Sequence, residues 1–66
     1  MAGSYGRRIK RILLDDGCHF VRNGKGDHEI WFSPISNRNF TVDAGVKKLF
    51  TAKVILKQAG INDERL

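Results

Sequence analysis

One histidine beside a glycine-rich segment is the clearest candidate for chemistry in this 66-residue chain. His28 follows segment 23–27, Asn-Gly-Lys-Gly-Asp, whose two glycines, Gly24 and Gly26, permit the positive φ angles of a tight hairpin. Histidine exchanges a proton near neutral pH, so it can act as a general acid or a general base. Lys25, and Arg22 across the predicted hairpin, can stabilise negative charge on a phosphate.

RNA is the substrate class that so small a set of groups can process. Its 2′-hydroxyl is a built-in nucleophile, so cleavage needs only a group that moves a proton and cations that stabilise the phosphate. We therefore take His28 as the candidate catalytic residue, with Asp27 or Glu29 as groups that can orient it. The alternative is a partly buried strand histidine bound to a backbone carbonyl. His19 lies in mid-strand without a glycine turn and is the weaker candidate.

Signatures of other chemistries are missing from the sequence. There is no Ser-His-Asp spacing, phosphate-binding loop, zinc signature or dinucleotide-binding glycine motif at a credible position. Asp15 and Asp16 belong to a predicted helix end, and Asp27 and Glu29 flank His28 without a third carboxylate. We therefore expect no metal and no small-molecule cofactor.

The single cysteine, Cys18, is interpreted as a small hydrophobic core residue. It has no partner for an intramolecular disulfide, which favours a reducing, cytoplasmic location. The basic N-terminal segment lacks the apolar run of a signal peptide, and no stretch reaches the ~20 apolar residues that span a bilayer. We expect no membrane association.

The charge balance favours a polyanionic partner. Twelve Lys and Arg residues oppose seven Asp and Glu residues, for a net charge of +5. Such an excess is typical of nucleic-acid-binding domains, although it also suits a solvated basic surface. Candidate phosphate contacts form two clusters near the two predicted helices: Arg7, Arg8, Lys10 and Arg11, and Lys47, Lys48, Lys53 and Lys57. Each cluster is equally compatible with the solvated face of an amphipathic helix.

Hydrophobic periodicity predicts an α-β-β-β-α order in a single domain, residues 1–66. Ser4 can cap a first helix that ends at Gly17, and Thr51 can cap a last helix that ends at Gly60. Alternating segments predict three strands, one after Gly17 and others at 27–33 and 38–42, with a turn at 34–37. Apolar faces are expected on both helices: Tyr5, Ile9, Ile12 and Leu13 with Asp16 on the first, and Ala52, Ile55, Leu56 and Ala59 on the last.

The expected packing places both helices on one face of a three-stranded antiparallel sheet. The strand residues predicted to meet them are Phe20, Ile30, Phe32, Phe40 and Val42. Trp31 would then lie on the opposite face, where it can stack on a base or simply cover the sheet. His28 shares parity with Ile30 and Phe32, so it would face the core unless it lies past the helices or beside a bulge.

In this order the features resemble the HicA toxin family. The resemblance is carried by a basic first helix ending in Asp-Asp-Gly, by segment 20–28 (Phe-Val-Arg-Asn-Gly-Lys-Gly-Asp-His) and by segment 55–61 (Ile-Leu-Lys-Gln-Ala-Gly-Ile). It implies a fold like the double-stranded RNA-binding domain, metal-independent cleavage of mRNA, and a catalytic histidine at position 28. It also implies a HicB-type antitoxin partner that covers the active-site region.

Two segments depart from the family pattern. Asp27 replaces the serine of the family's Gly-Ser-His, here Gly26-Asp27-His28. Residues 42–44, Val-Asp-Ala, stand where many members carry Val-Pro and a basic residue followed by histidine.

Three hypotheses follow from these observations. The first is an RNA endonuclease that uses His28, with Arg22, Lys25, Gly26 and Trp31 as substrate-binding residues together with the basic first helix. The second is a non-catalytic module that binds double-stranded RNA by its shape. The third is a protein-interaction module in which Trp31 and Phe50 contact the partner.

Overall fold

A computed structural model describes residues 5–43 and 45–66 of the chain. Its elements are helix α1 (Gly6–Asp15), strands β1 (His19–Asn23), β2 (His28–Ser33) and β3 (Arg38–Asp43), helix α2 (Leu49–Ala59) and a short 3-10 helix (Asp63–Arg65). The strands form one antiparallel sheet in the order β1-β2-β3. The predicted α-β-β-β-α order is confirmed, and the topology is that of a double-stranded RNA-binding domain. No helix in the described ranges is both long and apolar enough to cross a membrane.

Helix α1 buries the stripe that its periodicity predicts. Ile9, Ile12 and Leu13 are buried in the core. The predicted cap Ser4 lies outside the described residues, and the helix starts after Tyr5, whose amide donates to the carbonyl of Val46 at 2.7 Å. At the other end Gly17 adopts a φ of 92°, the left-handed conformation expected of a glycine that follows a helix.

Helix α2 begins earlier than the sequence predicts. Its first residue is Leu49, after Lys48 in the cap position, and the predicted cap Thr51 lies within the first turn. The apolar face is confirmed, because Ala52, Ile55, Leu56 and Ala59 are all buried. Gly60 ends the helix with a φ of 79°, and a Cβ there would lie 2.9 Å from the Ile35 side chain, so only glycine fits without a shift.

The β2 residues that point toward the helices are not the predicted ones. Phe40 and Val42 of β3 are in the core as expected, but β2 contributes Trp31 (4% exposed) and Ser33 (0%). The prediction that Ile30 and Phe32 point to the helices is therefore wrong, and so is burial of Phe20, which is 46% exposed.

The turn at 34–37 explains this reversal. It pairs Ser33 with Arg38, which sets Trp31 opposite Phe40 and Phe32 opposite Asn39. Residues directly opposite in an antiparallel pair share a face, so burial of Phe40 commits Trp31 to the core. We call the sheet surface away from the helices the open face; it presents His28, Ile30 and Phe32 from β2 and their partners Asn39, Thr41 and Asp43 from β3.

Ser33 joins the sheet to the end of α2. Its buried hydroxyl donates to the carbonyl of Ala59 at 2.6 Å and accepts from the amides of Ile35 and Ser36 at 3.1 and 3.3 Å. A helix end leaves carbonyls without intrahelical partners, and here a strand hydroxyl satisfies one of them. The same side chain also closes the turn that sets the β2–β3 register.

We expect Ser33→Ala to lower the free energy of unfolding by about 1–3 kcal/mol, because a buried carbonyl and two turn amides lose their partner. Chemical denaturation measures this change. Ser36→Ala is the matched control, since the buried Ser36 hydroxyl has no hydrogen-bond partner among the described residues. Equal effects of the two substitutions would contradict the role assigned to Ser33.

Candidate active site

The β1–β2 hairpin places His28 at the start of β2. The amide of Gly24 donates to the His28 carbonyl at 2.8 Å, and the His28 amide donates to the Lys25 carbonyl at 3.2 Å. Gly26 has a φ of 63°, as the glycine-rich turn requires. A Cβ on Gly24 would lie 3.5 Å from Cβ of His28, so the turn backbone packs closely behind the histidine. The predicted hairpin is confirmed.

His28 is accessible on the open face. Its side chain is 52% exposed. Parity with Ile30 and Phe32 holds as the sequence indicates, but these residues face away from the helices, so the expectation of a core-directed histidine is wrong. The ring can therefore meet a ligand in solvent without a bulge at its position.

A carboxylate lies directly beside the histidine. His28 Nδ1 is 2.9 Å from Asp43 Oδ1, within hydrogen-bonding distance, and the two residues are register partners at the ends of β2 and β3. When Nδ1–H faces a carboxylate, the proton is held on that nitrogen and Nε2 is left to exchange a proton with a substrate. At this distance the carboxylate can orient the imidazole ring, which a histidine that transfers protons requires.

The sequence suggests Asp27 or Glu29 as the group that orients His28, and the structure places Asp43 there instead. Asp27 lies exposed in the turn, and Glu29 points to the helix side, where it bonds Trp31, so the carboxylate that contacts His28 is that of Asp43. The position of the 34–37 turn nevertheless indicates this partner. If Ser33 pairs with Arg38, five steps back along β2 reach His28 and five steps forward along β3 reach Asp43.

Arg22 and Lys25 are the predicted cations that lie near this pair. Arg22 is exposed on β1 opposite Ile30, the residue two positions after His28 on the same face. Diagonal neighbours in a sheet lie roughly 7–8 Å apart, within reach of a long side chain. Lys25 is exposed in the turn whose carbonyl receives the His28 amide. An anion bound at His28 can therefore be approached by the Arg22 guanidinium and the Lys25 ammonium group.

The basic residues of α1 lie on the other side of the sheet from His28. Arg7 and Arg8 are exposed, and Arg11 pairs with Asp15 at 3.6 Å across one helical turn. Lys10 Nζ contacts Glu29 Oε2 at 3.2 Å, which ties the helix to the helix-facing side of β2. This cluster and His28 therefore do not form one continuous contact site.

Trp31 is part of the core and not a surface ring. It is 4% exposed, and its Nε1–H donates to Glu29 Oε1 at 2.9 Å. The prediction that it lies on the open face is wrong, and its position leaves no ring face for a base. Phe50, the other aromatic of the protein-interaction hypothesis, is 75% exposed on α2. Cys18 is buried, as expected of a core residue.

One comparison with known proteins identifies the family. The family model described as the HicA toxin of bacterial toxin-antitoxin systems matches residues 6–61, which includes both helices, all three strands and the His28 hairpin. The chain belongs to the HicA toxin family. No curated protein and no solved structure matches it. Membership of a toxin–antitoxin family implies that an antitoxin is a partner of this toxin.

Asp43, the middle residue of the Val-Asp-Ala segment 42–44, ends β3 and is the residue whose carboxylate contacts His28. Ala44 lies outside the described residues. Among the residues described, no three His, Cys, Asp or Glu side chains come together as metal ligands.

Glu29 connects the toxin's helix layer to β2. The hydrogen bond from Trp31 lowers the pKa of Glu29 most strongly, with a further lowering from Lys10 and an opposing effect of desolvation. A lowered carboxyl pKa stabilises the folded state above the ordinary glutamate value of 4.5, and this contribution is lost as the pH falls through the folded-state pKa.

We expect Glu29→Ala to lower the free energy of unfolding by about 1–3 kcal/mol at neutral pH, because the buried indole N–H loses its acceptor. Glu29→Gln retains an acceptor and should cost less, and its stability should decline less on acidification. Denaturant titrations between pH 3 and 7 test both points, with Glu64→Gln, on the exposed C-terminal segment, as the charge-matched control. The same acid dependence in Glu29→Gln and in the unsubstituted toxin would refute the assignment.

Proposed function

We propose that this toxin is an endoribonuclease that cleaves mRNA by a metal-independent reaction at His28. The observation that carries the proposal is the exposed His28 ring with Nδ1 held 2.9 Å from Asp43 at the end of a glycine-rich hairpin. The family match supports it, because it covers this hairpin within residues 6–61. The site lies on a face that the helices leave open.

The reaction uses the ribose of the substrate as nucleophile. The 2′-oxygen loses its proton and attacks the adjacent phosphorus, the bond to the 5′-oxygen of the next nucleotide breaks, and that oxygen gains a proton. The products are a 2′,3′-cyclic phosphate and a 5′-hydroxyl end. His28 performs one of the two proton transfers through Nε2, as base at the 2′-oxygen or as acid at the 5′-oxygen.

Asp43 acts as a positioning residue. Its carboxylate accepts a hydrogen bond from Nδ1–H, which selects the tautomer with Nε2 available to the substrate. Both side chains are about half exposed, so the pair is open to a polymeric substrate. Arg22 and Lys25 supply positive charge for the phosphate, whose charge increases in the transition state.

The more distant basic residues serve association. Arg7 and Arg8, on the other side of the sheet, add to a net charge of +5 that attracts a polyanion and raises the encounter rate. A HicB-type antitoxin that neutralises the toxin would cover the His28 hairpin with an acidic surface. Such a complex forms quickly and weakens as salt is added.

We expect the purified protein to cut single-stranded RNA in the presence of EDTA and to leave 2′,3′-cyclic phosphate ends. His28→Ala should lower the cleavage rate by about 10²- to 10⁴-fold, the contribution of a general acid or base, while the circular dichroism spectrum stays unchanged. Undiminished cutting by His28→Ala would sink the assignment. Tight binding of duplex RNA with no cleavage between pH 5 and 9 would instead select the non-catalytic RNA-binding module.

Asp43 is tested separately. Asp43→Ala should lower kcat more than it changes KM, and Asp43→Glu should restore part of kcat because it returns a carboxylate to the edge of the sheet. Asp27→Asn removes the same charge from the adjacent exposed turn and is the matched control. Equal losses in Asp43→Ala and Asp27→Asn would indicate that only the overall charge matters.

A further inference from the structure

The open face carries an ordered array of side chains beyond the His28–Asp43 pair. Strand register arranges them in three rows: His28 opposite Asp43 at one end, Ile30 between Arg22 and Thr41 in the middle, and Phe32 between His19 and Asn39 at the other end. The first row is the proposed catalytic site. The third row contains two aromatic rings for which the proposed reaction has no use.

The two rings of the third row form a pair. The centroids of His19 and Phe32 are 5.5 Å apart and their planes are inclined at 38°. His19 is exposed and Phe32 is half-buried on the central strand, so the face of the sheet beside them is accessible. Rings on an exposed sheet surface are a common platform for unstacked bases.

We propose that His19 and Phe32 form a base-stacking subsite for single-stranded RNA whose scissile phosphate lies at His28. The inference rests on the proposed ribonuclease function and adds to it the chemical form of the substrate: a strand whose bases are splayed onto the open face. The sequence predicts base stacking on Trp31, but Trp31 is buried in the core, and the His19–Phe32 pair provides the exposed rings instead.

The spacing along β2 suits a short stretch of one strand. Phe32 is four residues beyond His28, or roughly 13 Å at about 3.3 Å per residue. That distance covers on the order of two to four nucleotides, since a stacked strand rises about 3.4 Å per nucleotide and an extended strand more. Arg22 lies in the middle row, between the two ends of this stretch and within reach of the scissile phosphate at His28.

A single strand fits this surface better than a duplex or a protein does. Bases can reach the His19–Phe32 rings only when they are unpaired, because duplex RNA keeps its bases stacked on one another. The rows are also polar at their edges, with Thr41 and Asn39 available to hydrogen-bond bases or ribose. Together with the excess positive charge of the chain, this composition favours nucleic acid over an apolar protein partner.

Binding of a non-cleavable oligonucleotide tests the subsite without requiring catalysis. The probe is a fluorescein-labelled, fully 2′-O-methylated single-stranded hexanucleotide, titrated with protein that carries His28→Ala. A second substitution in this protein, Phe32→Leu, should weaken binding by about 5- to 100-fold, because one base–aromatic stack is lost. Phe32→Tyr retains the ring and should bind nearly as the parent does. His19→Ala should weaken binding by a smaller factor.

Phe20→Leu is the matched control, because Phe20 is an exposed phenylalanine of the same sheet whose ring packs edge-on against Trp31. Binding by Phe32→Leu as tight as by Phe20→Leu would overturn the subsite, as would preferential binding of the corresponding duplex or no binding of the probe at all. Because this assay is independent of cutting, the two proposals can fail separately. RNA cleavage that depends on His28 with no effect of Phe32→Leu removes the subsite alone, whereas ring-dependent binding without cleavage removes the nuclease assignment alone.

Discussion

The pairing of β2 with β3 is the constraint on which the rest of this structure depends. The turn at 34–37 sets Ser33 opposite Arg38, and every later pair follows from that one. It puts Trp31 with Phe40 under the helices and His28 with Asp43 in solvent. A shift of one residue would exchange the two faces of β2, burying the histidine and exposing the tryptophan. The His28–Asp43 contact and the core are thus two results of one register.

Several polar contacts on the helix side hold that register. The Ser33 hydroxyl satisfies the end of α2 and the turn amides, while Glu29 receives both the Trp31 indole and Lys10 of α1. In a small domain with a thin core, an unsatisfied buried donor or acceptor costs a large fraction of the total stability. These contacts therefore favour one facing of β2 over the other, and they leave the open face available for binding and chemistry.

The two faces of the sheet differ in what they carry. Asp43 ends β3 at the position opposite His28 and supplies a carboxylate there, on the open face. The positive charge, by contrast, is spread over both sides of the molecule. A charge distribution of this kind suits attraction of a long polyanion, and in our proposal the selective contacts come from the open face, which carries Arg22, the His19–Phe32 pair and His28.

The sequence by itself determined the elements, because they depend on local chemistry: helical periodicity, glycines that require a positive φ, and alternation within strands. It also singled out His28 and its hairpin, since a glycine-rich turn before a histidine is a contiguous signal. Which face of β2 points to the helices could not be predicted in this way, because both faces carry a large aromatic side chain, Trp31 on one and Phe32 on the other. Tertiary structure decided it through the partner strand: burial of Phe40 and Val42 draws Trp31 inward, and the same pairing brings Asp43, distant in sequence, to His28. The contact between His28 and Asp43 follows only once the pairing of β2 with β3 is known, because the two residues are 15 positions apart in the chain.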